Sequence, residues 1–348
     1  MATQNQRVFF PVQAVGIGPF DASATYHTVR GVKSFGFSGK MTVEFLKEMG
    51  NLPTYASYEE LPEIEITLER LLDGYCPAYL LMTDGAATAD LAGRADRRHH
   101  FRASVHRDNQ SRANGNQIAE LFCSGAYCSS VSYNFNVNGP SMETVGAVCN
   151  SAAWTTGSYV FTGHTTAMGV SSLVPAFSQG VARRQHFDMT NSRFPTDIPG
   201  IDNTGVNQTV VISGNTQFNT SFESISVSAN FGRQMAMELG RRGEFNRFVQ
   251  FPIKVTSTFN FRSKGDPLIT LLREGTQSNG DNTVEQTILF LDTEGLKIDL
   301  GTKNRLTAIN RTGGSAGEQG DVMMSFSYEN DDSLTVQHPA DVTVALQP

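Results

Sequence analysis

The stretch that decides the fold is NFGRQMAMELGRRGEFNRFVQFPIKVTSTFNF, which runs from Asn230 to Phe261. From Ile253 onward apolar and polar residues alternate, as in a strand with one buried face. Before it, residues 235–239 supply apolar contacts for a short helix, which the glycines at 240 and 243 end. The predicted buried face carries Ile253, Val255, Phe259 and Phe261, and the opposite face carries Lys254, Thr256, Thr258 and Asn260.

The composition favours β-structure. The chain has 348 residues, enough for one large domain or two ordinary ones, and 39% of them are hydrophobic. Charged residues make up 18%, below the roughly 25% of average globular proteins. Gly, Ser, Thr and Asn fill the difference, which together with 23 Phe favours strands and turns over helices.

The net charge of the chain argues against a nucleic-acid-binding protein. The formal net charge is −7, whereas phosphate binding needs clustered Lys and Arg. The start, MATQNQRVFF, lacks the basic and apolar regions of a signal peptide. No run of roughly 18 apolar residues predicts a membrane span, so we expect the chain to be made in a cytoplasm.

Alternation and turn residues predict many short strands. The clearest is Val131–Gly139, with Glu143–Val148 as a returning partner. Two regions are expected to be helical or irregular: 59–79 as a helix with an acidic N-terminal end, and 85–116 as a short helix or loop. Further strands are predicted at residues 208–212, 217–228, 287–291, 296–300, 306–309, 322–328 and 342–346.

These elements predict a mainly β fold, a β-sandwich or barrel with one or two flanking short helices. Residues 1–58 are interpreted as an extended N-terminal arm, and 59–348 as the β domain. A long inserted region is expected around 144–207. Its first part, 144–182, has no Asp, Glu, Lys or Arg and is interpreted as strands covered by another subunit.

No catalytic motif is present, and we expect a protein that is not an enzyme and has no cofactor. His99, His100 and His106 lie near Cys123 and Cys128 in sequence, but their spacing matches no common zinc site. Exposed or interface histidines are therefore preferred over a metal site. For the cysteines, reduced buried thiols are preferred, with a Cys123–Cys128 disulfide as the alternative.

Three separated blocks resemble bacteriophage tail tube proteins. They are Ile64–Tyr79, similar to an early helix of that family; Ser129–Val148, similar to its long strand, turn and following Glu-Thr pair; and Glu238–Phe261. The C-terminal part, residues 296–328, also resembles the final strands of the family. Their order along the chain carries the resemblance more than any single block does.

The resemblance implies a structural virion protein that forms rings, six subunits in this family, stacked into a hollow tail tube. Sheets would be completed between subunits, and DNA would pass without specific binding during genome delivery. The polar strand residues 254, 256, 258 and 260 would face the lumen. Arg241, Arg242 and Arg247 would contact other subunits, and sheath, baseplate or tail-terminator proteins are possible partners.

The expected location is the phage tail, assembled in the host cytoplasm, with no membrane partner. Two alternatives remain open. One is another phage-particle component, such as a baseplate or capsid-decorating protein. The other is a β-rich enzyme or binding module.

Overall fold

The computed structural model describes residues 13–20, 26–73, 77–82, 88–90, 97–106, 117–156, 181, 184, 187–190, 221–262, 289–292, 296–301, 303–313, 323–331 and 333–337. The elements, in chain order, are β1 Gln13–Pro19, β2 His27–Thr28, β3 Val32–Lys40, β4 Val43–Lys47, β5 Thr54–Glu59, β6 Glu63–Leu71, α1 Ala78–Leu81, β7 Thr88–Asp90, β8 His99–His106, β9 Gln117–Asn136, β10 Met142–Cys149, β11 Ser151–Thr155, β12 Phe187–Thr190, β13 Ser221–Asn230, β14 Gln234–Ala236, β15 Asn246–Phe248, β16 Lys254–Arg262, β17 Leu289–Asp292, β18 Leu296–Asp299, β19 Arg305–Thr312, β20 Met323–Asp331 and β21 Thr335–Gln337.

The prediction of a mainly β fold is confirmed. Eight strands form one continuous path in the order β19-β20-β16-β13-β9-β10-β6-β3, and every neighbouring pair is antiparallel. We call this path the main sheet. Strands β1, β2, β8 and β11 attach to it through the first half of β9. A smaller sheet has the order β12-β17-β18-β21-β7.

The long strand β9 links two parts of the structure. Its first half pairs with β8 and β11, and its second half pairs with β10 and β13. Gly125 lies between the halves at a φ of +69°, a conformation that glycine adopts without strain. The predicted strand Val131–Gly139 and its partner are thus confirmed as the end of β9 and as β10.

The core lies against one face of the main sheet. Alternation places Ile66 and Leu68 of β6, Val131 of β9, and Phe259 and Phe326 farther along the sheet in one buried cluster. The same cluster includes residues of β1, β8, β18 and β21. Burial of large apolar side chains stabilises by roughly 1.5–3 kcal/mol each, so this cluster holds the sheets together.

Three predicted helices or loops are wrong. Within 59–79, residues 63–71 form β6 because Ile64, Ile66 and Leu68 alternate with exposed side chains and the strand fits between β3 and β10. Residues 234–236 form β14, which pairs with β15. The region 85–116 supplies β7 and β8. Among the described residues the only α-helix is the single turn α1, which follows Pro77.

The proposed arm and insertion are partly built into the sheets. Within 1–58, β1 pairs with β8 and β3 with β6, so the described part is not an arm that lies apart from the domain. Within 144–207, β10 and β11 pair with β9. The predicted hairpin of 287–291 with 296–300 is confirmed by β17 and β18. The predicted strands at 208–212 and 342–346 lie outside the described residues.

Candidate assembly surfaces

One face of the main sheet is covered by small polar side chains, and we call it the polar face. Because side chains alternate along each strand, it receives every second residue of eight adjacent strands. Hydroxyl and amide groups dominate its middle. They are Ser130, Ser132, Asn134 and Asn136 of β9, Ser224, Ser226 and Ser228 of β13, and Ser325 and Ser327 of β20, beside the polar residues of β16.

All four predicted polar residues of β16 lie on the polar face. The Thr256 hydroxyl lies 2.7 Å from that of Ser228, and the Asn260 amide donates to the Ser224 hydroxyl at 2.8 Å. Thr258 lies 3.4 Å from the Ser327 hydroxyl. The Lys254 ammonium lies 2.9 Å from the Glu329 carboxylate. Their position opposite the buried face is confirmed, and their role in a lumen stays a prediction.

The charges of the polar face lie toward its sides and are nearly balanced. The acidic residues are Glu63, Glu65 and Glu69 of β6 and Glu329 and Asp331 of β20. The basic residues are Lys40 of β3, Lys254 and Arg262 of β16, and Arg305 of β19. The Lys33 ammonium lies 3.5 Å from Glu69. Such exposed ion pairs contribute about 0–1 kcal/mol, so they do little for stability. They leave a hydrated face that carries charges of both signs.

The main sheet has two open edges. Among the described residues, no strand pairs with the outer side of β3 or of β19. Each edge is eight or nine residues long. An open edge of this length exposes backbone N–H and C=O groups that readily pair with another chain. Both edges are therefore candidates for contact between subunits.

Two hairpins project with exposed apolar side chains. The first hairpin is β4–β5; Met49 and Leu52 at its turn are 99% and 96% exposed. The second hairpin is β14–β15, with Leu239 fully exposed in its connection. They follow β3 and β13, which run in the same direction, so both hairpins leave the same end of the main sheet. Clustered exposed apolar side chains mark a protein contact site. Other members are Phe45, Tyr55 and Tyr58 in the first hairpin, and Met237, Phe245 and Phe248 in the second.

The three candidate arginines of the second hairpin have different surroundings. Arg241 is exposed and lies 3.4 Å from Glu238, and Arg242 is exposed beside it. Arg247 is 3% exposed, forms an ion pair with Glu244 at 2.5 Å and donates to Asn150 at 2.8 Å. Burial within its own chain removes Arg247 from the candidate subunit contacts. Contacts through Arg241 and Arg242 stay a prediction.

Hydrogen bonds from arginine and tyrosine side chains hold the base of the second hairpin in place. The Arg233 guanidinium donates to the Cys128 carbonyl at 2.6 Å, and the Tyr127 hydroxyl donates to Asn246 at 2.6 Å. Arg98 donates to the Tyr127 hydroxyl and to the Phe245 carbonyl. The hairpin is thus held at its base while its apolar tip stays exposed.

A buried carboxylate that the sequence reasoning did not single out organises one end of the sheet. Glu143 is fully buried and accepts the backbone N–H groups of Ala78 and Tyr79 at 2.8 and 3.0 Å. It also accepts the Tyr133 hydroxyl at 3.0 Å and lies 3.8 Å from the Arg70 guanidinium. Burial, with Glu143 nearby, raises the pKa of Tyr133 well above its usual value. The sequence signal for this site was Glu143 itself, a charged residue on the inward side of the predicted strand Glu143–Val148.

The histidines of β8 are buried, so the expectation that they are exposed or at an interface is wrong for the described fold. His99, His100 and His106 are each at most 7% exposed. Burial lowers the pKa of His99 to about 4. Burial and then Arg102 lower that of His100 to about 4. No group of three or more possible metal ligands occurs among the residues that the structure describes.

The alternative Cys123–Cys128 disulfide does not fit the fold. Both cysteines lie on β9, where five residues of extended chain span about 15 Å, beyond the reach of a disulfide. Each is a free, buried thiol, as is Cys149. Burial raises the pKa of Cys128 to about 12, so its thiol is unreactive at neutral pH.

An apolar groove of about 590 Å³ lies beside the β3 edge. Its lining includes Phe35 and Phe37 of β3, Ile118 and Leu121 of β9, and Trp154 of β11.

The described part of the chain contains no helix long and apolar enough to cross a bilayer.

The sequence matches no protein-family model. It also matches no curated protein. One solved structure with partial similarity is a chain of the anti-feeding prophage (AFP) baseplate, determined by cryo-electron microscopy with six-fold symmetry. The match has 12% identity and a TM-score of 0.32, and it covers 44% of this chain and 97% of that one. A similarity this low assigns no role to the present chain.

Proposed function

We propose that this chain is a self-assembling structural subunit of a phage tail, a tail tube protein whose rings stack into a hollow tube for genome delivery. The observation that carries the proposal is the main sheet. Within the described part of the chain it is open at both edges, polar on one face and flanked at one end by two apolar hairpins. A chain with two such edges is prone to aggregation unless neighbours pair them. Closure into a ring removes both edges.

Each surface has a separate place in this proposal. The edges join copies around a ring, and the hairpins contact the next ring along the tube. The polar face lines the lumen, where hydrated hydroxyls and dispersed charges of both signs let DNA pass without specific binding. Six-fold organisation is what the resemblance to tail tube proteins implies. The protein acts by assembly and performs no chemistry, and its partners at the tube ends or surface are sheath, baseplate or tail-terminator proteins.

Negative-stain electron microscopy of the purified chain tests this function. Hollow tubes or stacked rings with a central channel are the expected result. Single rings that do not stack would favour a baseplate or capsid-decorating component of a virion instead. A dispersed monomer at high concentration would overturn the proposal.

The lumen assignment has its own test in the double variant Thr256→Lys/Thr258→Lys. Tubes of this variant should co-sediment with short duplex DNA at low salt and release it at high salt, because added lysines bind phosphate through counterion release. Wild-type tubes should not retain DNA. The matched control places two lysines at exposed positions of strand β11, outside the main sheet and the hairpins, as Ser151→Lys/Ala153→Lys. Equal DNA retention by the control tubes would contradict a lumen role for the polar face.

A further inference from the structure

The main sheet consists of two units with the same topology. In the first unit, β3 leads through the first hairpin to β6, and β9 and β10 follow. In the second unit, β13 leads through the second hairpin to β16, and β19 and β20 follow. Within the sheet both units have the order first, second, fourth, third strand: β3-β6-β10-β9 and then β13-β16-β20-β19.

Irregularities in strand pairing occur at matching places in both units. The first and second strands slip by one residue at Lys33 in the first unit and at Glu223 in the second. The third and fourth strands slip at Ser129 and at Thr307. Bulges are specific features of a fold rather than random defects, so two matching bulges indicate an internal structural repeat.

The two bulges give the same residue equivalence. Equating residues 33 and 223 makes Phe35 equivalent to Ile225, and equating 129 and 307 makes Val131 equivalent to Ile309. These residues also stand on matching cross-strand rows. One row is Phe35, Leu68, Val145 and Val131, and the other is Ile225, Phe259, Phe326 and Ile309.

The junction between the units is therefore a template for contact between copies. It joins β9, the third strand of one unit, to β13, the first strand of the next. The open edges are again a third strand, β19, and a first strand, β3. β3 and β19 run in opposite directions, because they are the first and last of eight antiparallel strands. A second copy, rotated about the axis of a ring, would therefore place its β3 antiparallel to β19, as β13 is antiparallel to β9.

Burial differs at equivalent positions as this template requires. Val227, at the internal junction, is 1% exposed, whereas its equivalent Phe37 on the open edge is 42% exposed. Tyr133 is fully buried, while its equivalent Arg311 is exposed. A neighbouring strand would cover the exposed members of these pairs.

We propose that β19 of one copy pairs with β3 of a second copy, and that three chains, contributing six units, close each ring. The proposal rests on the proposed assembly into tubes. The register follows from the internal junction: Ser132 opposite Ser228 places Asn310 opposite Ser38 of the next copy. Likewise, Val131 opposite Ala229 places Ile309 opposite Gly39.

The number of chains follows from the circumference. Three eight-stranded sheets give 24 strands, and a barrel of that size has a backbone radius of about 24 Å at about 4.8 Å between strands and a tilt of about 40°. Inward side chains of about 5 Å leave a channel about 38 Å wide, which admits one duplex roughly 20 Å across with its water. Two chains would leave about 22 Å, and six chains about 86 Å.

The test is disulfide cross-linking of the full chain in the double variant Ser38→Cys/Asn310→Cys. Both positions are exposed on the polar face, so we expect the fold of the single chain to be kept. After mild oxidation with a small disulfide reagent, denaturing non-reducing electrophoresis should show a ladder that ends at three chains. The mis-registered pair Ser34→Cys/Asn310→Cys and both single variants should give no ladder. Ser132→Cys/Ser228→Cys, at the internal junction, should cross-link only within one chain.

The outcomes separate this inference from the proposed function. Tubes with a ladder that extends to six chains would overturn the chain count. Tubes without any cross-link between chains would overturn the seam, while the tube function would stand. Absence of both particles and cross-links would overturn both proposals.

Discussion

The internal junction and the two edges of the main sheet are equivalent positions of the repeat. The junction is paired, whereas the edges are unpaired among the described residues. At the junction of β9 and β13, Val227 is buried against Tyr133 in the adjacent strand. At the β3 edge the equivalent Phe37 is exposed beside an apolar groove. The difference shows which surface of this chain a second copy would have to cover, and it separates substitutions that affect folding from those that affect assembly.

The largest expected effect comes from charge at the internal junction. Val227→Asp buries an unpaired carboxylate and should cost several kcal/mol, enough to prevent stable folding. The matched Phe37→Asp should cost clearly less, on the order of 1 kcal/mol, because this side chain is already 42% exposed in the single chain. It should abolish ring formation. Urea unfolding and size-exclusion chromatography with light scattering measure the two effects, and equal destabilisation by both variants would contradict the template.

The next effect concerns a buried carboxylate that only the first unit has. Glu143 lies opposite Arg70 across β10 and β6, and the equivalent positions of the second unit hold Met324 and Phe261. Glu143→Ala should cost about 1–3 kcal/mol for each buried donor that loses its acceptor, namely the Ala78 and Tyr79 N–H groups and the Tyr133 hydroxyl. Arg70 keeps its ion pair with Asp73 at 2.6 Å. Glu143→Gln, which keeps one acceptor oxygen, should cost clearly less. Urea unfolding in the non-assembling Phe37→Asp background avoids coupling to assembly, and a Glu143→Gln variant at least as unstable as Glu143→Ala would refute this account.

A smaller effect is the pH dependence that the buried histidines of β8 introduce. His99 has a folded-state pKa of about 4 against an ordinary value of 6.5, so the unfolded chain binds its proton first as the pH falls. The free energy of unfolding should therefore have its full value above pH 6.5 and decline toward pH 4, by up to roughly 3 kcal/mol because of this residue. His99→Gln should flatten that decline. Thermal unfolding across this range compares the two, and identical pH slopes would count against a buried neutral His99.

The smallest effect on the single chain is expected at the hairpins. Leu52→Ser and Leu239→Ser remove apolar side chains that are exposed and should change stability by less than about 0.5 kcal/mol. Both should shorten tubes or leave unstacked rings, because each hairpin lies at the same end of the sheet. Electron microscopy measures tube length. Wild-type lengths for both variants would exclude the hairpins from ring-to-ring contact.

Period-two alternation allowed parts of the fold to be predicted from sequence alone. It identified β16, the end of β9, and β20, whose buried and exposed faces lie as expected. It failed at β6, where acidic residues near a run of Leu suggested a helix, because pairing with β3 and β10 decides the structure there. β14 has no buried residue, so no buried face could identify it.

The candidate surfaces were predictable to a similar degree. The polar residues of β16 followed from local alternation, whereas the open edges depend on the order of strands far apart in sequence. The repeat of the two units could not be recognised in the sequence, because equivalent positions hold different apolar residues. Leu68 corresponds to Phe259, and Val145 to Phe326. Only pairing and bulge positions make the equivalence visible.

Amide hydrogen exchange of assembled particles against the non-assembling Phe37→Asp chain tests the central claim most directly. In the single chain, the outward-facing amides of β3 and β19 should exchange quickly while β9 and β13 are protected, because each edge strand pairs on one side only among the described residues. On assembly, β3 and β19 should become as protected as the internal junction. Particles in which these two strands still exchange as fast as in the single chain would contradict completion of the sheet by neighbouring copies.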